Sequence, residues 1–586
     1  MTADTSSVSD LHPVYNYIVV GGGTAGLVVA NRLTEDPAVS VLVLEAGSNR
    51  VNDPRITTPG LAGSLYSDPE FDWCLTSTPQ QALNGRCLSE PRGRTLGGSS
   101  AINLGMVIYP SRSDIDAWEK LGNPGWNWES LSAYVRKSQK FTPPSDEINQ
   151  ELSLGYIDPT LQGTDGPVHT LNHHPTGDPI SGRAKGAFCN PGSIHATSRA
   201  RSHAGVTYYN SKTAERINLR VVTEALVEKI IVEKEKPGES GFFAAGVQFI
   251  GKDGIRRTVT AATEVILAAG AVKTPHLLEL SGIGDAGLLK AHGIETLINN
   301  PNVGENLQEH GLVPFSWEVA DGQVTLRPWQ SSGAGPLGLC TFFSAFMTPP
   351  YLQDEEFQGL LDTYLDKETP SNRTAQYRIL RQLLEDLEEP TGQYEMCAFQ
   401  VTPENSPSLQ GIFGMPEPES FLTMVAVLNR PFSRGCVHLS SPDPTALPAF
   451  DPQILSHPLD LELQARHVKW LDTLAATEPM ASLLKPNGRR LHHSEQVSSL
   501  EIARELTRDR IIAHFHVSGT AAMMPRGIGG VVDARLRVYG CPNLRVVDAS
   551  VIPLIPRGNI QTTVYAVAEK AADLIKADGR GSLCRL

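Results

Sequence analysis

Residues 17–45 constrain what this chain can fold into more than any other stretch. A short apolar run, Tyr17-Ile-Val-Val20, leads directly into Gly21-Gly-Gly23-Thr24-Ala25-Gly26. Helical spacing follows over 27–33. A second apolar run over 41–44 then ends at Glu45 and Ala46. Strand, G-x-G-x-x-G, helix, strand and acid within about 30 residues read as a βαβ dinucleotide site. Gly21 permits the tight turn, Gly23 lets backbone approach a pyrophosphate, and Gly26 lets the helix pack on the strand. Thr24 and Ala25 open the helix, whose first amides favour phosphate anions. Glu45 is placed to bind adenosine ribose hydroxyls, with Ala46 beside it. The motif alone does not separate FAD from NAD.

The rest of the chain bounds the context. With 40% hydrophobic and 19% charged residues, 586 residues can bury a large core without a metal or disulfide staple. Fifty Lys+Arg against 64 Asp+Glu leave −14, the wrong sign for a nucleic-acid binder. Gly 52 and Pro 42 point to many turns and long irregular connections. The eight cysteines include no C-x-x-C pair. The longest apolar run, 265–272, is too short to span a bilayer. The first fifteen residues carry no secretory pattern, so an intracellular, cytoplasmic or peroxisomal protein is expected. The peroxisomal option rests on Cys584-Arg585-Leu586, a variant of the small–basic–Leu address. The single N-x-[ST] match, Asn372-Arg373-Thr374, is what chance supplies.

Further segments carry a family resemblance. Gly93-Arg-Thr-Leu-Gly-Gly98-Ser-Ser-Ala-Ile-Asn103 resembles the first signature of the glucose–methanol–choline (GMC) oxidoreductases. Residues 270–284, beginning Gly270-Ala-Val-Lys-Thr-Pro-His, resemble the second. Asn302-Val-Gly-Glu-Asn-Leu-Gln-Glu-His310 is similar to the family's V-G-x-N-L-Q-D-H, with Glu309 for Asp. The resemblance implies FAD, with Gly98, Asn103, Leu104, Gly105 and Met106 along the flavin and Val227 meeting adenine. It also implies that Asp548, Ala549 and Gln561 lie in the segment returning to the flavin. Family members that attach FAD covalently use a His where this chain has Ile102, so noncovalent FAD is expected. Val107 replaces the more usual aromatic or Ala.

The same resemblance sets His516 and Asn559 at the family's catalytic pair. Alcohol oxidation removes a proton from oxygen and a hydride from carbon. A free hydroxyl does not ionise near neutral pH, so a base must take the proton as the hydride leaves. An imidazole titrates in the useful range, so His516 is the expected base, with flavin N5 the hydride acceptor. Asn559 is expected to hydrogen-bond the developing alkoxide or to position His516. A formate-oxidising branch has Arg at this second position. Asn559 therefore favours a neutral alcohol over a carboxylate. His514-Phe515-His516 puts two imidazoles on one side of a strand, but no third metal ligand is evident, so no metal is expected. His276 and His310 read as structural.

The expected architecture is α/β. A Rossmann-like FAD domain over 14–170, 205–312 and 510–580 interleaves with an α+β substrate domain over 171–204 and 313–509, built on an antiparallel sheet. Strands are expected near 220–223, 227–233, 244–251, 264–268 and 421–428, and helices over 460–474 and 564–576. Residues 50–90 read as a covering connection. Leu380, Leu383, Leu384 and Leu387 read as the packed stripe of an acidic helix. The reading is an FAD-dependent oxidoreductase taking a primary or secondary alcohol, aryl or specialised-metabolite classes included, to an aldehyde or ketone. O2 or another acceptor reoxidises the flavin. The alternative is a lyase or other non-oxidative flavoenzyme on the same scaffold.

Overall fold

The computed structural model describes residues 5–143, 146, 161–171, 186–234, 241–322, 343–348, 355–367, 373–491 and 496–583. Asn372 and the terminal Cys584-Arg585-Leu586 lie outside the described residues.

Two sheets organise the chain. The larger has eight strands. Its main path runs Arg537–Val538, Cys541–Val546, Arg256–Leu267, Val14–Val20, Val41–Leu44, Leu219–Val222. From Cys541–Val546 to Leu219–Val222 every pairing is parallel. Such strands are covered on both faces, which is why they read as continuous apolar runs. Val41–Leu44 is buried at all four positions. The strand expected at 264–268 is the inner end of a longer one, Arg256–Leu267. Its outer half pairs antiparallel with Phe242–Ile250 and alternates buried with exposed residues, so it lacks an apolar run to mark it.

The helix Thr24–Leu33 packs against the closing helix Gln561–Leu583. Tyr208 stacks on Tyr565 at 5.9 Å, and Arg32 reaches the buried Glu569 through both Nε and Nη2. The closing helix begins three residues earlier than its apolar periodicity suggested. That extra turn brings Gln561 to the cofactor cleft.

The second sheet is antiparallel, in the order Ile512–Ala513, Gly311–Glu318, Phe421–Leu428, Gly392–Cys397, Phe343–Met347, Gly186–Cys189. Ile512–Ala513 and Gly311–Leu312, both grouped by the sequence reading with the cofactor-binding segments, pair with each other at the edge of this sheet. Phe421–Leu428 alternates only in part because both its faces are buried. Met424 and Ala426 pack on Ala465, Val468 and Leu471 of the helix Pro458–Ala475. Val425 and Val427 turn to the other side, with Met106, Leu312 and Phe346. That other side is the floor of a cavity.

Residues 50–90 form short helices, Pro54–Thr57 and Pro59–Leu65, and the hairpin Leu75–Thr76/Ser89–Glu90. The acidic helix is Thr374–Glu385. It buries Leu380 and Leu383, half-buries Leu384 and ends before the exposed Leu387. No helix among the described residues is long and apolar enough to cross a membrane.

Candidate active site

One long cavity runs from the carboxyl ends of the parallel strands to the floor of the antiparallel sheet. Of the proposed cofactor residues, Gly21, Gly23, Thr24, Ala25, Glu45, Ala46, Gly98, Asn103, Leu104, Gly105, Met106, Val227, Asp548, Ala549 and Gln561 all line it. Gly26 does not. It lies under the turn, where a Cβ would sit 2.0 Å from the Gly21 carbonyl oxygen. Its role is the close packing of helix on turn.

The backbone builds a cradle that side chains would fill. Gly98 has φ +53°, and a Cβ there would meet the Cα of Gly23 at 2.7 Å. The two signature loops therefore touch through bare backbone. Helix Thr24–Leu33 starts at Gly23 with no side chain capping it, so its first amides remain available to an anion. Glu45 is buried and accepts from the amides of Gly22 (2.8 Å) and Gly47 (2.7 Å). Burial pushes its pKa up to about 7, with both amides opposing. Each carboxylate oxygen keeps a second lone pair for a ribose hydroxyl. Bare glycine contacts, an uncapped helix and an oriented carboxylate in one cleft fit a dinucleotide.

Other cofactor candidates are held by the protein itself. The Asp548 carboxylate accepts from Gly270 N (2.9 Å), Thr274 Oγ1 (2.6 Å), Ser550 N (2.8 Å) and Ser550 Oγ (2.5 Å). It ties the helix Gly270–Leu280 to the returning strand. Asn103 Nδ2 donates to Gln561 Oε1, and Gln561 Nε2 donates to Ser193 Oγ (2.9 Å). Arg201 donates to the carbonyl and side-chain oxygens of Asn103. Ser193 and Arg201 carry no motif, and the sequence reading missed both.

At the sheet end of the cavity, His516 is buried. Its Nε2 lies 3.1 Å from Asn559 Nδ2, and its Nδ1 lies 2.9 Å from His310 Nδ1. The His516 amide donates to Glu309 Oε1 at 2.8 Å. The strand ends at Ala513, so His514 and His516 do not share a strand face as expected. Phe515 instead takes φ +65°, a conformation rare for a bulky residue and typical of functional sites. The two imidazoles still touch, 4.2 Å between centroids and tilted by 44°. The fold also brings in a third imidazole. One ring nitrogen from each of His310, His514 and His516 lies within 4.8 Å of the other two, a grouping invisible in sequence spacing. His310, read as structural, is thus in direct contact with His516, while His276 lies beside Lys273 (Nζ to Nδ1 3.4 Å).

Burial holds the His516 pKa well below the usual imidazole range, and His514, His310 and Arg92 push it the same way. Burial likewise lowers His310 to about 3, with His514 adding to it. Glu309 is pushed well above the usual carboxyl range by burial, with Glu90 adding to it. Around the pair the walls are apolar and aromatic: Tyr66, Leu312, Phe399, Phe413 and Phe515, with Tyr66 edge-on to Phe515 at 5.9 Å. Glu395 places one carboxylate in that wall, accepting from Gln393 Nε2 at 2.7 Å and lying 3.4 Å from His514 Nε2.

This fold and cleft define a dinucleotide-dependent α/β enzyme with a buried imidazole at the sheet end of its cavity. Family models of the GMC oxidoreductases match residues 15–312 and 431–568. A dehydrogenase of Monascus purpureus, mpl7, is 34% identical over 96% of both chains. Among solved structures, an FAD-dependent oxidoreductase from Chaetomium thermophilum superposes with a TM-score of 0.83 at 28% identity, covering 97% of this chain and 100% of that one. A fungal aryl-alcohol oxidase does so with a TM-score of 0.80 at 28% identity, over 97% and 100%. The chain belongs to the GMC oxidoreductase family, an oxidoreductase whose cofactor is FAD.

Proposed function

We propose that this protein oxidises a neutral primary or secondary alcohol, an aryl-type alcohol foremost, to the aldehyde or ketone. His516 is the base and Asn559 its partner. The observation that carries the reading is the 3.1 Å His516–Asn559 pair at the end of an aromatic-walled cavity. Bound FAD supplies the acceptor for the hydride that leaves the carbinol carbon. The rest falls to the chain. An imidazole kept neutral by burial accepts the hydroxyl proton at Nε2. Asn559 Nδ2 donates to the oxygen as its charge grows. Tyr66, Phe399, Phe413 and Phe515 supply flat apolar surface for a ring and keep water away. Glu395 in the wall disfavours an anionic substrate, as does Asn559 where an anion site would need an Arg. The fungal aryl-alcohol oxidase likeness supports the same substrate class.

The test is anaerobic mixing with a panel of benzylic, allylic and aliphatic alcohols and with formate. Bleaching of the flavin band by neutral aryl alcohols, followed by return of colour on admitting O2 or an artificial acceptor, is the expected result. Bleaching by formate alone would overturn the substrate class. No bleaching by any alcohol would overturn the oxidation and favour a non-oxidative reaction.

A further inference from the structure

We infer that His310 is a positioning residue that fixes the tautomer of His516, so that Nδ1 carries the proton and Nε2 presents the lone pair. This rests on the reading of His516 as the base.

The Asn429 carbonyl oxygen can only accept a hydrogen bond. His310 Nε2 lies 2.9 Å from the carbonyl oxygen of Asn429, so Nε2 must carry a hydrogen. His310 is fully buried and neutral near pH 7, so its Nδ1 is bare. That Nδ1 lies 2.9 Å from His516 Nδ1, and one proton must lie between two nitrogens so close. Only His516 can supply it. A neutral His516 with its proton on Nδ1 has a bare Nε2. The Asn559 contact agrees independently, because an amide Nδ2 at 3.1 Å from Nε2 is a donor seeking a lone pair.

The acceptor at the head of this chain is rigid. Asn429 follows Phe421–Leu428 and His310 precedes Gly311–Glu318, strands paired through Leu312 and Val427. Asn429 N donates to Thr391 O at 3.1 Å, and its Nδ2 donates to Pro390 O at 2.9 Å. His514 N donates to His310 O at 2.9 Å, bringing the segment that carries His516 against His310. The antiparallel sheet thereby dictates which imidazole nitrogen faces the cavity. When Nε2 takes the hydroxyl proton, the Nδ1–H stays on His516, and the bare Nδ1 of His310 accepts from the resulting imidazolium. No proton passes to His310.

Two measurements test this. In the resting holoenzyme labelled with 15N-histidine, and assigned by comparison with His516→Ala, the His516 Nδ1 should show a directly bonded proton and Nε2 none. The reverse pattern overturns the inference whether or not any substrate has been found. In turnover, His310→Leu should lower kcat at least about 100-fold, as expected when a catalytic imidazole loses its tautomer. KM and bound flavin should change little. His310→Gln accepts through Oε1 and donates through Nε2, and should recover kcat to within about 10-fold of wild type. Equal loss in the Leu and Gln variants, or full activity in Leu, overturns the inference. Full activity in the Leu variant while His516→Ala is inactive would leave the alcohol-oxidation reading standing without it.

Discussion

Asn559 Nδ2 and His516 Nε2 lie 3.1 Å apart although 43 residues separate them in the chain. Asn559 Oδ1 is buried without a hydrogen-bond partner among the described residues. Its Nδ2 carries two hydrogens, so one can reach His516 while the other donates to a substrate oxygen. Asn559→Ala removes the donor to the developing alkoxide and should lower kcat about 10²- to 10³-fold, the cost of losing one preorganised oxyanion donor. Asn559→Asp puts a carboxylate beside His516, which raises the imidazole pKa. The acid limb of the kcat/KM profile should then move to higher pH. An unmoved limb would separate the two residues functionally.

The pH profile of the native enzyme follows from burial. As the proposed base, His516 must be neutral to act, and its pKa is held well below 6.5 by burial, with His514, His310 and Arg92 adding to it. Activity should therefore stay flat through neutral pH and fall only as the pH drops well below 6.5. A kcat/KM limb at the ordinary imidazole value would contradict the buried geometry. His516→Ala should cost about 10²- to 10⁴-fold, the usual contribution of a general base, while the protein remains yellow.

Cofactor attachment is the third expectation. Ile102 stands where covalent relatives have His, and its side chain is buried with no nucleophilic atom. Acid precipitation of the holoenzyme should leave all the flavin in the supernatant. Flavin that sediments with the protein would mean attachment at another residue. Gly98→Ala drives a Cβ to 2.7 Å from the Gly23 Cα in a left-handed backbone position. It should yield soluble protein with less than half the wild-type flavin per chain, read from the 450 nm to 280 nm absorbance ratio.

How much of this was legible beforehand depends on the range of the contacts. The turn at Gly21–Gly26 is local. Its strand, helix and second strand lie within 30 residues, so spacing alone located it. The inner half of Val14–Val20, Tyr17 to Val20, and Val41–Leu44 were legible because parallel strands covered on both sides read as apolar runs. The contact of His310 with His516 was not legible because it comes from register. His310 lies 206 residues from His516 and 119 from Asn429, and only the pairing of Gly311–Glu318 with two other strands brings these three together. Arg201 and Ser193 were invisible for a similar reason. They reach Asn103 and Gln561 from an irregular segment with no periodicity. Phe515 carries no sign of its positive φ, since bulky residues there are exceptions that surrounding structure enforces.

The loop bearing Asn559 hangs on a buried ion cluster. Arg430 donates to Asp114 Oδ1 (2.6 Å) and Glu389 Oε2 (2.5 Å), and all three side chains are buried. Asp114 Oδ2 also accepts from the amide of Arg557, two residues before Asn559. Burial pushes the Asp114 pKa up, but Arg430 and Arg557 more than offset this and hold it below its usual value. A depressed carboxyl contributes stability that is present above its unfolded pKa and lost as pH falls through the lower folded value. Acid should therefore loosen this loop only below about pH 4. Arg430→Met strands two buried carboxylates and should cost about 3–5 kcal/mol, because removing one partner leaves charge uncompensated. The loss should appear as a lower apparent Tm. It should be partly recovered by neutralising the stranded carboxylates in Arg430→Met/Asp114→Asn/Glu389→Gln. If the triple variant melts no higher than the single, the cluster acts by shape rather than by charge. Asn559 then owes its position to packing around Arg557 instead.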